Sequence, residues 1–240
     1  MQVPNAIKKH VFIGGSIGVG KSSILDQLYG MLETDCVIFI SEYIDHDVCG
    51  EMMLGNHLKG KISMLFFQRY ILENFRSQIE TEKYRKASIV LWERHPMECY
   101  FFIEQSIKDQ KCSQGDYDVF RREMMDFCLA HDIPDLERGS FKAFACDTFA
   151  VDVPIVAEII KHQMLDTFTY YWGENVYCFL YCSVAQEQIK RIQKRGRKCE
   201  IERYTSAEQM LEFNKAYLKF IESKISGLKS WENKRKLILN

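Results

Sequence analysis

Residues Gly15-Ser16-Ile17-Gly18-Val19-Gly20-Lys21-Ser22 have the spacing Gly-x-x-x-x-Gly-Lys-Ser, which suits a main chain to cradling phosphates. Glycines let the backbone approach an anion closely and adopt turn dihedrals closed to other residues. The N–H groups that open the following helix then face the anion. In such a loop Gly15, Ser16, Gly18, Gly20 and Ser23 line the phosphates, Lys21 reaches the β- and γ-phosphates, and Ser22 ligates Mg²⁺. That chemistry binds a nucleoside triphosphate and leaves the acceptor unspecified.

Carboxylates and one arginine follow two apolar runs. Cys36–Ile40 leads into Ser41-Glu42-Tyr43, and Ser88–Trp92 leads into Glu93-Arg94-His95-Pro96. The carboxyl ends of parallel strands face the ligand crevice, so Glu42, Glu93 and Arg94 belong beside the phosphate loop. Glu42 suits accepting the proton of an acceptor hydroxyl, and it equally suits a solvated loop acid. Glu93 and Arg94 suit holding Mg²⁺ and neutralising a transferring phosphoryl group, or simply pairing at a strand end. His95 and Pro96 read as structural, with proline at a first helical position.

The segment "IKRIQKRGRKCEIE" carries Lys190, Arg191, Lys194, Arg195, Arg197 and Lys198. Arg191 and Arg195 are four apart and share a helical face, and Gly196 breaks the helix. Alone, such a run reads as a solvated face. Beside a phosphate loop it reads as a mobile basic lid over about 191–205.

These groups need a scaffold. Apolar runs bounded by turn residues predict strands at His10–Ile13, Cys36–Ile40, Ser88–Trp92, Val176–Cys182 and Lys236–Leu239. Between them, helical periodicity predicts Gly20–Met31, Ile62–Tyr84, Pro96–Gln110, Asp116–Ala130, Pro154–Thr167, Val184–Lys194 and Ser206–Ser226. Residues 131–153 fit neither period. Alternating strands and helices predict an α/β fold, a mostly parallel sheet covered on both faces. At 240 residues, without repeats and with four prolines, a single domain over 1–240 is expected.

The formal net charge of −1 gives no reason to expect nucleic-acid binding or a membrane surface. No apolar run reaches membrane-spanning length, and "MQVPNAIKKH" lacks the apolar core of a signal peptide. Nine scattered cysteines without a Cys-x-x-Cys pair support neither a zinc site nor a thioredoxin-like motif. Reduced thiols in a cytoplasmic protein are expected.

Several pieces together resemble one family. "GGSIGVGKSS", Glu42 after the second strand, "FFQRY" on a long helix, "WERHP" after the third strand and "RIQKRGR-x-x-E" at the lid occur in the order seen in the deoxynucleoside kinases. That group includes deoxycytidine, deoxyguanosine and mitochondrial thymidine kinases and the herpesviral thymidine kinases, which "ERHP" particularly resembles. The resemblance implies a P-loop kinase fold with a five-stranded parallel sheet of order 2-3-1-4-5, flanked by helices, and a homodimer. It implies ATP as phosphate donor, Mg²⁺ as cofactor, and transfer to the 5′-hydroxyl of a deoxynucleoside in nucleotide salvage. Glu42 would be the base, Arg94 would position it and stabilise transferred charge, and Glu93 with Ser22 would hold Mg²⁺.

The resemblance also places the remaining binding residues. Gln68 would read the nucleobase edge, although from the residues alone it reads equally as a satisfied core amide. Glu200 would reach the sugar 3′-hydroxyl, Arg191 would lie against adenine, and Arg195 and Arg197 would face the phosphates. A tyrosine that assists the 3′-hydroxyl in the family falls near His57. Ile71, Phe75 and Cys99 match base-pocket positions and make an uncharged lining like that of thymidine-accepting members, so thymidine, or pyrimidines broadly, is the expected acceptor. Residues 131–153 would be an insertion relative to the cellular enzymes. The alternatives are a thymidylate kinase, which needs extra cations for the acceptor phosphate, and a P-loop NTPase switch, which needs a positioned hydrolytic water.

Overall fold

In a computed structural model, residues 8–32, 35–166, 175–225 and 228–230 are described. The strands are β1 (Lys9–Gly15), β2 (Val37–Ile40), β3 (Ile89–Glu93), β4 (Phe141–Asp147), β5 (Asn175–Tyr181) and β6 (Lys229–Ser230). The helices that precede β4 are α1 (Lys21–Leu32), α2 (Tyr43–His46), α3 (Gly50–Leu58), α4 (Met64–Ile79), α5 (Glu82–Lys86), α6 (Cys99–Lys108) and α7 (Gln114–Ala130). After it come α8 (Val153–Asp166), α9 (Ala185–Arg195), α10 (Lys198–Arg203) and α11 (Ala207–Lys224).

Each central strand sends alternate residues to opposite faces, as the pleat requires. Phe12, Trp92, Tyr177 and Phe179 enter one core with Phe75 of α4, Phe101 of α6, Phe120 of α7 and Tyr217 of α11. Val11, Ile13, Leu91 and Cys178 enter the other, with Ile24 and Leu28 of α1 and Val156 and Ile160 of α8. Such double burial is what continuous apolar runs in a parallel sheet encode. Among the described residues all nine cysteines are free thiols.

The strands pair throughout in parallel, in the order β2-β3-β1-β5-β4-β6. The α/β parallel architecture stands, and the strand expected fourth does adjoin β1. The expected five-stranded order 2-3-1-4-5 is nevertheless extended, because β4 pairs outside β5 and β6 pairs outside β4. The expected strand at 236–239 lies outside the described residues.

β4 comes from the stretch 131–153. Its sequence, FKAFACD, holds no β-branched residue, and its small alanines and Lys142 blur any period. Its partition is regular all the same: Ala143 and Ala145 face one core, Phe144 and Cys146 the other. Two helices also depart from expectation. Thr81 caps α5 by accepting from the Tyr84 N–H at 3.2 Å, which splits the expected 62–84 helix in two. His95 caps a short 3₁₀ turn at Pro96–Glu98, so α6 begins only at Cys99.

Phe144 is fully buried. Phe144→Ala should therefore lower the unfolding free energy by about 3–5 kcal/mol, read by urea denaturation. A loss below ~0.5 kcal/mol would show that β4 is not a core strand.

Candidate active site

The phosphate loop joins β1 to α1, and Gly15, Gly18 and Gly20 all have positive φ. Gly15 is also closely packed: a Cβ there would meet the Leu180 carbonyl oxygen of β5 at 2.2 Å. Lys21 is buried, with Nζ donating to the Ser16 carbonyl at 3.2 Å and lying 3.9 Å from Glu42 Oε1. Burial and the Arg94 charge pull its pKa down, while Glu42 and Glu93 oppose them. Ser22 Oγ donates to Glu93 Oε1 at 2.9 Å, and Ser23 is exposed on the first turn of α1.

The parallel order β2-β3-β1 brings Glu42, Glu93 and the loop to one sheet edge. Burial alone would raise the Glu42 pKa, but Arg94, whose Nε donates to Glu42 Oε1, and Lys21 hold the carboxyl well below the usual carboxylate range. Glu93 goes the other way. Burial, and then the charge on Glu42, push it up to about 7. Arg94 has φ 72, a left-handed conformation uncommon for a non-glycine residue. Besides Glu42, its guanidinium reaches the Gly15 carbonyl and the Tyr217 hydroxyl, the latter at 2.7 Å.

Carboxylate oxygens of Glu42, Asp45 and Glu93 lie within 4.8 Å of one another. With the Ser22 hydroxyl they make an all-oxygen donor set, the kind Mg²⁺ takes alongside phosphate and water. Sequence reasoning missed Asp45. Its signal is the spacing Glu42-x-x-Asp45, which on a helical turn puts both acids on one face.

A cavity of about 150 Å³ opens beside these groups. Its lining includes all the predicted acceptor residues: Glu42, Gln68, Ile71, Phe75, Arg94, Cys99 and Glu200. It adds Tyr43, His57, Phe102 and Tyr204. Gln68 is 2% exposed; its Nε2 donates to Met64 Sδ at 3.4 Å, while its Oε1 is buried without a partner. A core amide satisfied by its neighbours would not be left so. His57 stacks on Phe67, ring centroids 4.6 Å apart, with Nδ1 likewise buried and unpartnered.

The basic segment is already engaged. Arg195 and Arg197 pair with Glu200, and Arg197 also pairs with Asp45 on α2. Arg191 instead turns to the end of β4, donating to the Thr148 hydroxyl and carbonyl at 3.0 Å each. Under α9, Ser16 donates to Asn214 Oδ1 at 2.6 Å and accepts from Gln188 Nε2 at 2.7 Å. Gln188 and Asn214 escaped sequence reasoning because a lone amide on an amphipathic helix carries no distinguishing pattern.

No protein-family model matches the chain, and no curated protein matches it. Solved structures do. The deoxyadenosine kinase of M. mycoides with bound dATP aligns over 96% of this chain and 97% of its own, at 18% identity and TM-score 0.55. The same enzyme with the products dCMP and a flexible dCDP aligns over 96% of each chain, at 17% identity and TM-score 0.56. Its complex with dCTP aligns over 96% of this chain and 97% of its own, at 16% identity and TM-score 0.54. The fold is that of a deoxynucleoside kinase.

Raising the Glu93 pKa from 4.5 to about 7 means that the folded state binds the extra proton, so this carboxyl costs stability as pH rises through that window. Glu93→Gln should therefore raise the unfolding free energy at pH 8 by roughly 1–3 kcal/mol and flatten its pH dependence between 5 and 8. Denaturant titrations across that range check it. Unchanged pH dependence would show that Glu93 is not the titrating group.

Proposed function

We propose that this protein transfers the γ-phosphate of ATP to the 5′-hydroxyl of a deoxynucleoside, with Mg²⁺. The observation that carries the reading is the unpartnered, buried Gln68 Oε1 in a cavity also lined by Glu42 and Arg94, with Glu42 beside Lys21 of the phosphate loop. An amide aimed into an apolar slot can bond an adjacent donor and acceptor on a base edge. The sugar then spans toward Glu42.

Arg94 and Lys21 keep Glu42 ionised at neutral pH, so it can accept the hydroxyl proton as the oxygen attacks. A weak base suffices, because phosphoryl transfer through a loose transition state depends mainly on positioning and charge stabilisation. Ser22, Glu93 and Asp45 would hold Mg²⁺, which neutralises charge on the β- and γ-phosphates when bound. Lys21 and Arg94 supply fixed positive charge from the protein itself. Arg195 and Arg197 would exchange their present carboxylates for phosphate oxygens as the donor binds, leaving Glu200 for the sugar 3′-hydroxyl.

For the acceptor we favour thymidine, or pyrimidines broadly. The structural neighbour is named for deoxyadenosine, and its complexes hold both purine and cytosine nucleotides. In this chain the slot around Gln68 is made of Met64, Phe67, Ile71, Phe75, Cys99 and Phe102. No charged side chain lines that half, which suits the apolar 5-methyl of thymine. Among the lining residues Arg94 is the sole Arg or Lys, which disfavours an acceptor that already carries a phosphate. A homodimer is also proposed, through the exposed Phe66 of α4 and Met125 and Leu129 of α7.

Labelled-phosphate transfer from ATP to each deoxynucleoside and to dTMP tests the reading. Transfer to thymidine is expected. Transfer to dTMP alone, or ATP hydrolysis without an acceptor, would overturn it in favour of a monophosphate kinase or a switch. Glu42→Gln should cut kcat by about 10²–10⁴-fold with ATP affinity nearly intact, which single-turnover assays and calorimetry would read. Exchanging Phe75 for Arg and Cys99 for Asp should move preference away from thymidine by ~10-fold or more. An unchanged preference in competition assays would show that these side chains do not read the base.

A further inference from the structure

Glu98 is fully buried and has no part in the reaction as described so far. The His95 cap and the 3₁₀ turn fold its side chain back, so that Oε1 accepts from the His95 N–H at 2.8 Å. The same oxygen accepts from the Tyr177 hydroxyl of β5 at 2.9 Å. Oε2 accepts from the Tyr217 hydroxyl of α11 and lies 3.5 Å from Arg94 Nη1. Burial pushes both phenols well above their usual range, so both stay protonated and donate.

Two further observations place this carboxylate at the back of the phosphate loop. A Cβ on Gly14 would come within 2.2 Å of the Tyr177 hydroxyl and 2.6 Å of Glu98 Oε1, so the chain runs against the cluster where only glycine fits. Tyr217 accepts from Arg94 Nη1 at 2.7 Å while donating to Glu98. The same Nη1 reaches the Gly15 carbonyl, and Nε reaches Glu42. Arg94 is thus held from behind by a buried acid and a phenol, in a backbone conformation that is uncommon without such restraint.

We propose that Glu98, acting through Tyr217, is a positioning residue that locks the Arg94 guanidinium between the phosphate loop and Glu42. The kinetic part of this inference rests on the phosphotransfer reading above; the placement of Arg94 does not. Without the phenol hydroxyl, Nη1 loses a partner and Glu98 Oε2 loses its donor, so the cation and the buried carboxylate, 3.5 Å apart, are drawn together and the guanidinium shifts away from the Gly15 carbonyl. The base then loses its orientation while both substrate pockets keep theirs. The signature is a fall in kcat without a matching rise in KM.

Tyr217→Phe is the direct test. It keeps the ring that stacks on Phe101, centroids 4.3 Å apart, and removes only the hydroxyl. The expected result is a folded protein whose crystal structure shows Arg94 displaced from the Gly15 carbonyl. With it kcat should fall ~10–100-fold, and KM for nucleoside and ATP should stay within about twofold. Glu98→Gln should give a similar loss, and the double variant should cost no more than the larger single one, as members of one relay do. Arg94 unmoved in Tyr217→Phe, or kcat unchanged in the folded variant, would overturn the proposal and leave the cluster a packing device. Wild-type protein that phosphorylates no deoxynucleoside would instead overturn the functional reading, and the position of Arg94 in the crystal would still decide the relay.

Discussion

Two carboxylates share one buried sheet edge, and their mutual repulsion governs the arrangement around them. Glu42 lies two residues past the end of β2 and Glu93 ends the adjacent β3, so parallel pairing brings them together. Out of water, neither charge is tolerable without opposite charge close by. The chain supplies it asymmetrically. Arg94 and Lys21 lie against Glu42, whereas Glu93 receives a serine hydroxyl. The outcome is one acid held ionised and one held near neutrality, the divergence expected when two like groups have different jobs. A divalent cation seated among Ser22, Asp45 and Glu93 would remove the cost that Glu93 bears.

Much of this was legible because it is written in spacing. A phosphate loop is a local motif, and acids at strand ends follow from knowing where strands stop and which way a parallel sheet points. The acceptor residues that the family resemblance implies, dispersed from Glu42 to Glu200, converge on one cavity. What escaped was of two kinds. β4 is buried on both faces and built from small and aromatic residues, so its run resembles neither an amphipathic strand nor a β-branched one. The polar groups behind the loop, Glu98, Gln188, Asn214 and Tyr217, are brought together from distant helices. Only the fold shows that they meet.

On the proposed reading, base selection is the least constrained property of the site. A single amide in an apolar lining discriminates by shape and by one pair of hydrogen bonds, and apolar fit alone separates ligands by about 1–3 kcal/mol. The neighbour of the same fold is seen with both a purine and a cytosine nucleotide. On the proposed reading, the carboxylate edge is fixed by charges that must balance, and the slot around Gln68 by volumes that need only be filled.

The clasp between Arg191 and Thr148 bears on how the basic segment could act as the proposed lid. The second half of α9 is pinned to the end of β4 by that arginine, and Gln188 and Ile192 tie its underside to the loop and α11. A helix fastened at so many points cannot swing as a rigid arm. Gly196, in the left-handed conformation at φ 83, is the first place beyond these anchors where the chain can turn freely. If the basic segment acts as the proposed lid, its opening would be a short flap of the residues past Gly196 and not a hinged domain stroke. On the proposed reading, ligands enter by breaking two arginine–carboxylate pairs, with the floor formed by the phosphate loop left standing.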